Sequence, residues 1–255
     1  MPHIENQGVR IHYRVVGDGP TLVLQHGSSM KSMLWDVCGY VDALKADYRL
    51  ILIDARGHGE SDKPHDRAAY RWPISVTDVL AVLDAIDSPQ AIYWGYSWGG
   101  ALGFALAKQA PDRIAALIVG GSHAGASDFG TRLRGVDGRD PEAFVVAYET
   151  NILGERMPEQ ARARVLASDT QALAAFMQDR PSYEDILPNL KMPCLLYAGD
   201  RDQAFLKTRS TAQRIPHAVF VTLQGLNHAA AFIQSDRVLP HVTDFLEAQR
   251  FPPRI

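Results

Sequence analysis

Residues 9–16 (VRIHYRVV) alternate between apolar and polar side chains and run into the Asp18-Gly19-Pro20 turn, a pattern that predicts a strand. Continuous apolar stretches follow at 21–25 (TLVLQ), 48–53 (YRLILI), 92–94 (IYW), 114–119, 194–198 (CLLYA) and 218–223, each short enough for a buried strand. Helical patterns lie between them. At 35–46, Val37, Val41 and Leu44 share one face; at 73–86, opened by Pro73, the stripe is Val79, Leu80, Leu83 and Ile86. Helices are also predicted at 101–107, 205–214 and 236–248. Near-continuous apolar strands separated by helices predict an α/β fold, a mostly parallel central sheet with helices on both faces.

The rhythm changes over 122–188, where no strand pattern stands out and helices are predicted at 141–153, 158–167 and 170–178, two of them opened by proline. This reads as a small helical cap inserted into a core made of 1–121 and 189–255. Its apolar positions Phe144, Val145, Tyr148, Ile152, Leu173, Phe176 and Met177 are candidates for a pocket wall, with packing of the cap onto the core as the favoured reading.

A chain of 255 residues, 46% of them hydrophobic, can bury one large core. Its formal charge of −3 carries no bias toward nucleic acid. No run of about 18 apolar residues is present, and the start MPHIENQG lacks a signal-peptide pattern, so the expectation is a cytoplasmic protein with no membrane partner. Cys38 and Cys194 have neither disulfide-framework nor metal-site spacing and are read as reduced core residues.

Candidate chemistry centres on AIYWGYSWGG at 91–100, where a β-favouring run breaks into glycines around Ser97 before a helix former begins. A sharp strand-to-helix turn with glycines two before and two after a serine has the shape of a nucleophile elbow. A serine hydroxyl needs a general base, normally a histidine oriented by a buried carboxylate. The strand at 194–198 is followed by Gly199-Asp200-Arg201-Asp202, and that at 218–223 by Gln224-Gly225-Leu226-Asn227-His228. All three groups therefore follow strands at one edge of the sheet, where open α/β sheets form their sites. The Trp98 amide opens the helix after Ser97, where an unpaired donor and the helix dipole favour an oxyanion.

With the order Ser, Asp, His, the sequence resembles the α/β-hydrolase superfamily over nearly the whole chain outside the insertion. HGSS at 26–29, with Trp35 opening the next helix, and DARGHGESDKP at 54–64, similar to a DxRGxGxS loop, extend the likeness. The resemblance implies Ser97 as nucleophile, His228 as base, Asp202 as orienting acid, and the backbone N–H groups of Ser28 and Trp98 as oxyanion hole, with no cofactor and no metal. Ser29 remains the alternative to Ser28, and Asp200 is expected to cap its turn instead.

His26 and His58 are expected to act as hydrogen-bonding struts, Asp54 and Arg56 to tie their loop to the core, and His123 either to line the pocket or to stay idle. Trp94, Tyr96 and Trp98 read as packing, with Trp98 placed to narrow the acyl side of the site. The expected activity is a serine hydrolase acting on a small apolar carboxylic ester or lactone. Relatives that open epoxides or displace halide use an aspartate at the elbow, which excludes those reactions for a serine. Alternatives on the same scaffold are a C–C bond hydrolase, a cofactor-free perhydrolase or haloperoxidase-like enzyme, a hydroxynitrile lyase, and a non-catalytic ligand receptor. A homo-oligomer is left open.

Overall fold

The computed structural model describes residues 2–249; residue 1 and residues 250–255 of the predicted core lie outside the described residues. Among the described residues eight strands form one sheet: β1 (His3–Asn6), β2 (Val9–Val16), β3 (Thr21–Gln25), β4 (Arg49–Ile53), β5 (Ala91–Tyr96), β6 (Ile114–Gly120), β7 (Cys194–Gly199) and β8 (Val219–Leu223). Their spatial order is β1-β2-β4-β3-β5-β6-β7-β8. The β1–β2 and β2–β4 pairs are antiparallel, and all the others are parallel.

Successive side chains of a strand point to opposite faces, and both faces here are covered. Val23, Ile51, Tyr93, Leu117 and Leu196 pack against Val76, Val79 and Leu83, and against Leu102 and Phe104. Their neighbours Leu24, Leu52, Trp94, Ile118 and Leu195 face the other way, against Trp35, Tyr40, Leu44, Val242 and Phe245. Each such side chain contributes about 1.5–3 kcal/mol by leaving water. The helices that supply these layers are α1 (Met33–Val37), α2 (Tyr40–Leu44), α3 (Trp72–Ala85) and α4 (Trp98–Gln109). Between β6 and β7 come α5 (Phe129–Arg132), α6 (Pro141–Tyr148), α7 (Glu159–Leu166) and α8 (Thr170–Phe176), and after β7 come α9 (Phe205–Gln213), α10 (Ala230–Ile233) and α11 (Ser235–Ala248).

Several predicted elements change. The helix predicted over 35–46 is two short helices, because Gly39 adopts a left-handed φ of +84° between them. The break turns Val37 out to 69% exposure, while Val41 and Leu44 stay buried as predicted. Cys38 sits at that junction and is only partly buried, unlike Cys194. The helix predicted over 141–153 ends at Tyr148 and continues as a π-helical turn, Glu149–Leu153, in which Ile152 is only partly buried. Strand β1 has no apolar run to announce it and is recruited by a two-residue hairpin in which Gln7 (φ 53°) and Gly8 (φ 74°) are both left-handed. Among the described residues no helix is long and apolar enough to cross a membrane.

Candidate active site

Parallel strands β5, β6, β7 and β8 end side by side, and the loops beyond them meet. Ser97 joins β5 to α4 with φ 52° and ψ −114°, a conformation that costs a non-glycine residue about 1–3 kcal/mol and persists only where the surroundings enforce it. Two bonds do so, Ser97 N–H to Gly120 O at 2.8 Å and Ala101 N–H to Ser97 O at 3.0 Å. Flanking glycines make the turn fit: a Cβ on Gly95 would lie 2.1 Å from Gly99 O, and one on Gly99 would lie 2.3 Å from Gln25 O.

Asp202 follows β7 in a turn closed by its own N–H to Gly199 O at 3.0 Å. Its Oδ1 accepts from Ala204 N–H at 2.8 Å, and its Oδ2 lies 2.7 Å from His228 Nδ1. On the far side of the ring, His228 Nε2 lies 2.9 Å from Ser97 Oγ, joining residues 131 positions apart in sequence. The buried carboxylate accepts from Nδ1–H, so the Nε2 lone pair faces the serine hydroxyl. The Asp202 side chain is 2% exposed and that of His228 is 41% exposed, so the acid is sealed while the ring is open to solvent. Tyr96 Oη donates to the His228 carbonyl at 2.5 Å and fixes the loop from below. Asp200 does not cap its own turn as expected: it reaches across to accept from Gly225 N–H at 2.7 Å, tying the loop after β7 to the loop that carries His228.

The 26–29 loop lies opposite the α4 N-terminus. His26 donates from Nδ1 to Gly27 O at 2.7 Å and accepts at Nε2 from Ala55 N–H at 3.1 Å. His58 donates from Nδ1 to Arg56 O and accepts at Nε2 from Ser29 N–H, both at 3.1 Å. Each ring is thus held neutral in one tautomer, and burial pushes both below the ordinary histidine value, His58 to about 3. Asp54 accepts from Ser32 N–H, Glu60 N–H and His12, while Arg56 forms a buried two-bond pair with Asp78 at 2.6 Å for each bond, so both residues tie the loop into the core. The Ser29 amide is therefore occupied. Among the described residues no acceptor takes the amide of Ser28 or of Trp98.

Among the described residues His123 makes no hydrogen bond to Ser97 or His228. Its Nδ1 accepts from Gly125 N–H at 3.1 Å beside the Arg180 guanidinium, and burial together with that cation lowers its pKa to about 3. It lines a cavity of about 270 Å³ with Lys207 and Thr211, and a cavity of about 440 Å³ lies near Leu133, Val136 and Gln171; neither is lined by Ser97 or His228. Trp98 packs between Trp72 and Phe176, with ring centroids at 5.6 and 4.6 Å. Phe144, Val145, Leu173, Phe176 and Met177 are buried together with Ala55 and Tyr70, which is the packing role favoured for them. Tyr148 joins the same cluster but also places its phenol 3.2 Å from Ser28 Oγ, a polar contact that its apolar surroundings in the sequence do not announce. Among the described residues no cluster of three or more His, Cys, Asp or Glu is arranged for a metal ion.

A family model described as alpha/beta hydrolase fold matches residues 20–180. The chain is 28% identical over 228 residues to the putative 2-succinyl-6-hydroxy-2,4-cyclohexadiene-1-carboxylate synthase of Bacillus subtilis (strain 168), covering 78% of this chain and 81% of that protein. It is 29% identical over 264 residues to a 2-hydroxy-6-oxononadienedioate/2-hydroxy-6-oxononatrienedioate hydrolase of Paraburkholderia phymatum, covering 93% and 91%. A shorter match, 37% identical over 119 residues, reaches 44% of this chain and only 32% of epoxide hydrolase B of Mycobacterium tuberculosis. Among solved structures, the enol-lactonase from Burkholderia xenovorans LB400 superposes with a TM-score of 0.80 at 24% identity, over 96% of this chain and 100% of that one, a likeness of fold.

Proposed function

Since the chain belongs to the alpha/beta hydrolase fold family, we propose that it is a serine hydrolase that cleaves a small carboxylic ester or lactone through an acyl-enzyme on Ser97. The observation that carries this reading is the continuous run Asp202–His228–Ser97, with contacts of 2.7 and 2.9 Å. Ser97 Oγ attacks the carbonyl carbon as its proton passes to His228 Nε2, and Asp202 stabilises the imidazolium without itself taking the proton. Negative charge gathers on the former carbonyl oxygen, and the free amides of Ser28 and Trp98 receive it, the latter at a helix N-terminus. The tetrahedral species collapses, the alkoxide leaves with the proton from Nε2, and water repeats the cycle on the acyl-enzyme. A lactone differs only in keeping its leaving group tethered.

Likeness to epoxide hydrolases does not extend this reading to epoxides, because forming an ester between enzyme and alkyl group needs a carboxylate at the elbow and Ser97 supplies a hydroxyl. Cleavage of a C–C bond is the second reading, supported by the relative from Paraburkholderia phymatum that spans 93% of this chain. It would use the same serine and histidine with a carbanion as leaving group. The segment 122–188 serves in either case as a cap that sets substrate size.

The test is a panel of p-nitrophenyl acetate and butyrate, five- and six-membered lactones and a vinylogous 1,5-diketone, assayed with wild type and Ser97→Ala in parallel. Ester or lactone turnover lost in the variant supports the first reading. Turnover of the diketone alone supports the second, and turnover that survives Ser97→Ala removes both.

A further inference from the structure

The two sides of the proposed oxyanion hole are touched by side chains from one inserted segment. Tyr148, the last residue of α6, is 6% exposed, and its Oη lies 3.2 Å from Ser28 Oγ, 120 positions away in sequence. Phe176, the last residue of α8, sets its ring 4.4 Å from that of His58 and 4.6 Å from that of Trp98. His58 in turn holds the Ser29 amide.

The loop needs such constraint. Ser29 adopts a left-handed φ of 59°, which is unfavourable for a residue with a side chain, and its buried Oγ lies beside the Tyr148 phenol without meeting hydrogen-bond geometry, leaving Ser28 Oγ as the phenol's bonded partner. His58 fixes the loop from the core side, and the Tyr148 phenol is the contact on the Ser28 side chain from above. A phenylalanine would fill the same apolar space, so the hydroxyl is what packing leaves unexplained. Burial raises the phenol's pKa, so it keeps its proton and remains a donor. The chain also passes into a π-helical turn directly after Tyr148, a rare local geometry that frequently accompanies functional positions.

We infer that Tyr148 is a positioning residue: its phenol holds Ser28 Oγ, and through it the orientation of the Ser28 amide, so that the oxyanion hole is complete only with the 122–188 segment seated. The inference rests on the serine-hydrolase reading above. It assigns Tyr148 no contact with substrate, and its effect is confined to the transition state, where the amide carries charge.

A double-mutant cycle tests it, with Tyr148→Phe, Ser28→Ala and the pair together. Two readouts are taken: kcat and KM on p-nitrophenyl acetate, and the second-order rate at which a fluorophosphonate labels Ser97, with Ser97→Ala as the blank. Tyr148→Phe is expected to lower kcat and the labelling rate by about 3- to 10-fold, the size of one net hydrogen bond, with KM unchanged within about twofold. Ser28→Ala should do the same, and the pair should be no worse than either alone, because both remove the same bond. Losses that multiply, or a rise in KM with kcat retained, overturn the inference. Wild type that is not labelled at Ser97 overturns the serine-hydrolase reading and the inference with it, whereas normal labelling of wild type and of Tyr148→Phe alike overturns the inference alone. Tyr148→Phe keeps the ring and its packing, and Ser28→Ala reaches the same bond from the loop, so a folding defect in one variant leaves the other to decide.

Discussion

Ser29 donates its backbone N–H to Nε2 of His58 at 3.1 Å, and this bond sets the Ser29 amide apart from that of Ser28. The Ser29 amide is anchored to a buried ring, and among the described residues no acceptor takes the Ser28 amide. The anchor works only with His58 neutral, because its Nδ1 already donates to Arg56 O and a second ring proton would set donor against donor.

Acid should therefore loosen the fold from within. Burial holds the folded His58 ring down to about 3 against an ordinary value of 6.5, and the folded ring accordingly stays neutral where the unfolded one takes up a proton. Between those values the unfolded chain binds more protons, so stability present above about pH 6.5 is lost as the pH falls toward 3. His26 and His123 are lowered by burial in the same direction. Denaturant unfolding at pH 7.5 and 5.0 should show a large drop for wild type. His58→Gln should be less stable at pH 7.5 but lose less on acidification, its slope being smaller by up to about 1.4 kcal/mol per pH unit. An unchanged slope would show that His58 is not held neutral.

The elbow glycines make a second prediction. Gly95→Ala or Gly99→Ala would place a methyl carbon 2.1 or 2.3 Å from a backbone carbonyl oxygen that cannot move aside without breaking the strand-to-helix turn. Each should cost at least about 3 kcal/mol, the upper range of overpacking, or prevent folding. Gly135→Ala is the control, since nothing lies within 4 Å of its would-be Cβ; its φ of 86° limits the expected cost to about 1–2 kcal/mol of backbone strain. Thermal unfolding of the three variants should separate them in that order, and equal melting temperatures would contradict it.

The carboxylates of the β7 loop should separate as sharply. Asp202→Asn keeps size but loses the charge that stabilises the imidazolium and favours the wrong ring tautomer, a change that costs about 10⁴ in kcat in serine proteases. Asp200→Asn keeps an oxygen for Gly225 N–H and should stay within about threefold of wild type, with a stability cost of about 1 kcal/mol. Steady-state kinetics on the best ester of the panel decide between them; a large kcat loss confined to Asp200→Asn would reverse the roles.

How far the chain could be read varies with the kind of interaction. Strands β2 and β3 match their predicted bounds, and β3 is buried throughout, because alternation and continuous burial are local signals bounded by turns; along β2 the alternation fails at His12, which is buried on Asp54, and at Val15, which is exposed. The 35–46 pattern misleads because Val37, Val41 and Leu44 fit one helical face on paper, while Gly39 turns the chain between the first and the other two. The convergence of residues 97, 202 and 228 was legible because each follows a parallel strand at the same sheet edge. That the Ser29 amide rather than the Ser28 amide is bonded to His58 was not, since it depends on the backbone angle at Ser29 and on a ring contributed by another loop. Nor was the Tyr148 phenol, whose partner lies across the fold.

An acyl-enzyme on Ser97 can be read by intact-protein mass spectrometry after acid quench of a reaction with a p-nitrophenyl ester. Wild type quenched within the first turnovers should carry one acyl group, located by peptide mapping on Ser97, and Ser97→Ala should carry none. Product formed by wild type with Ser97 unmodified at every time sampled, and formed equally by Ser97→Ala, would contradict the account.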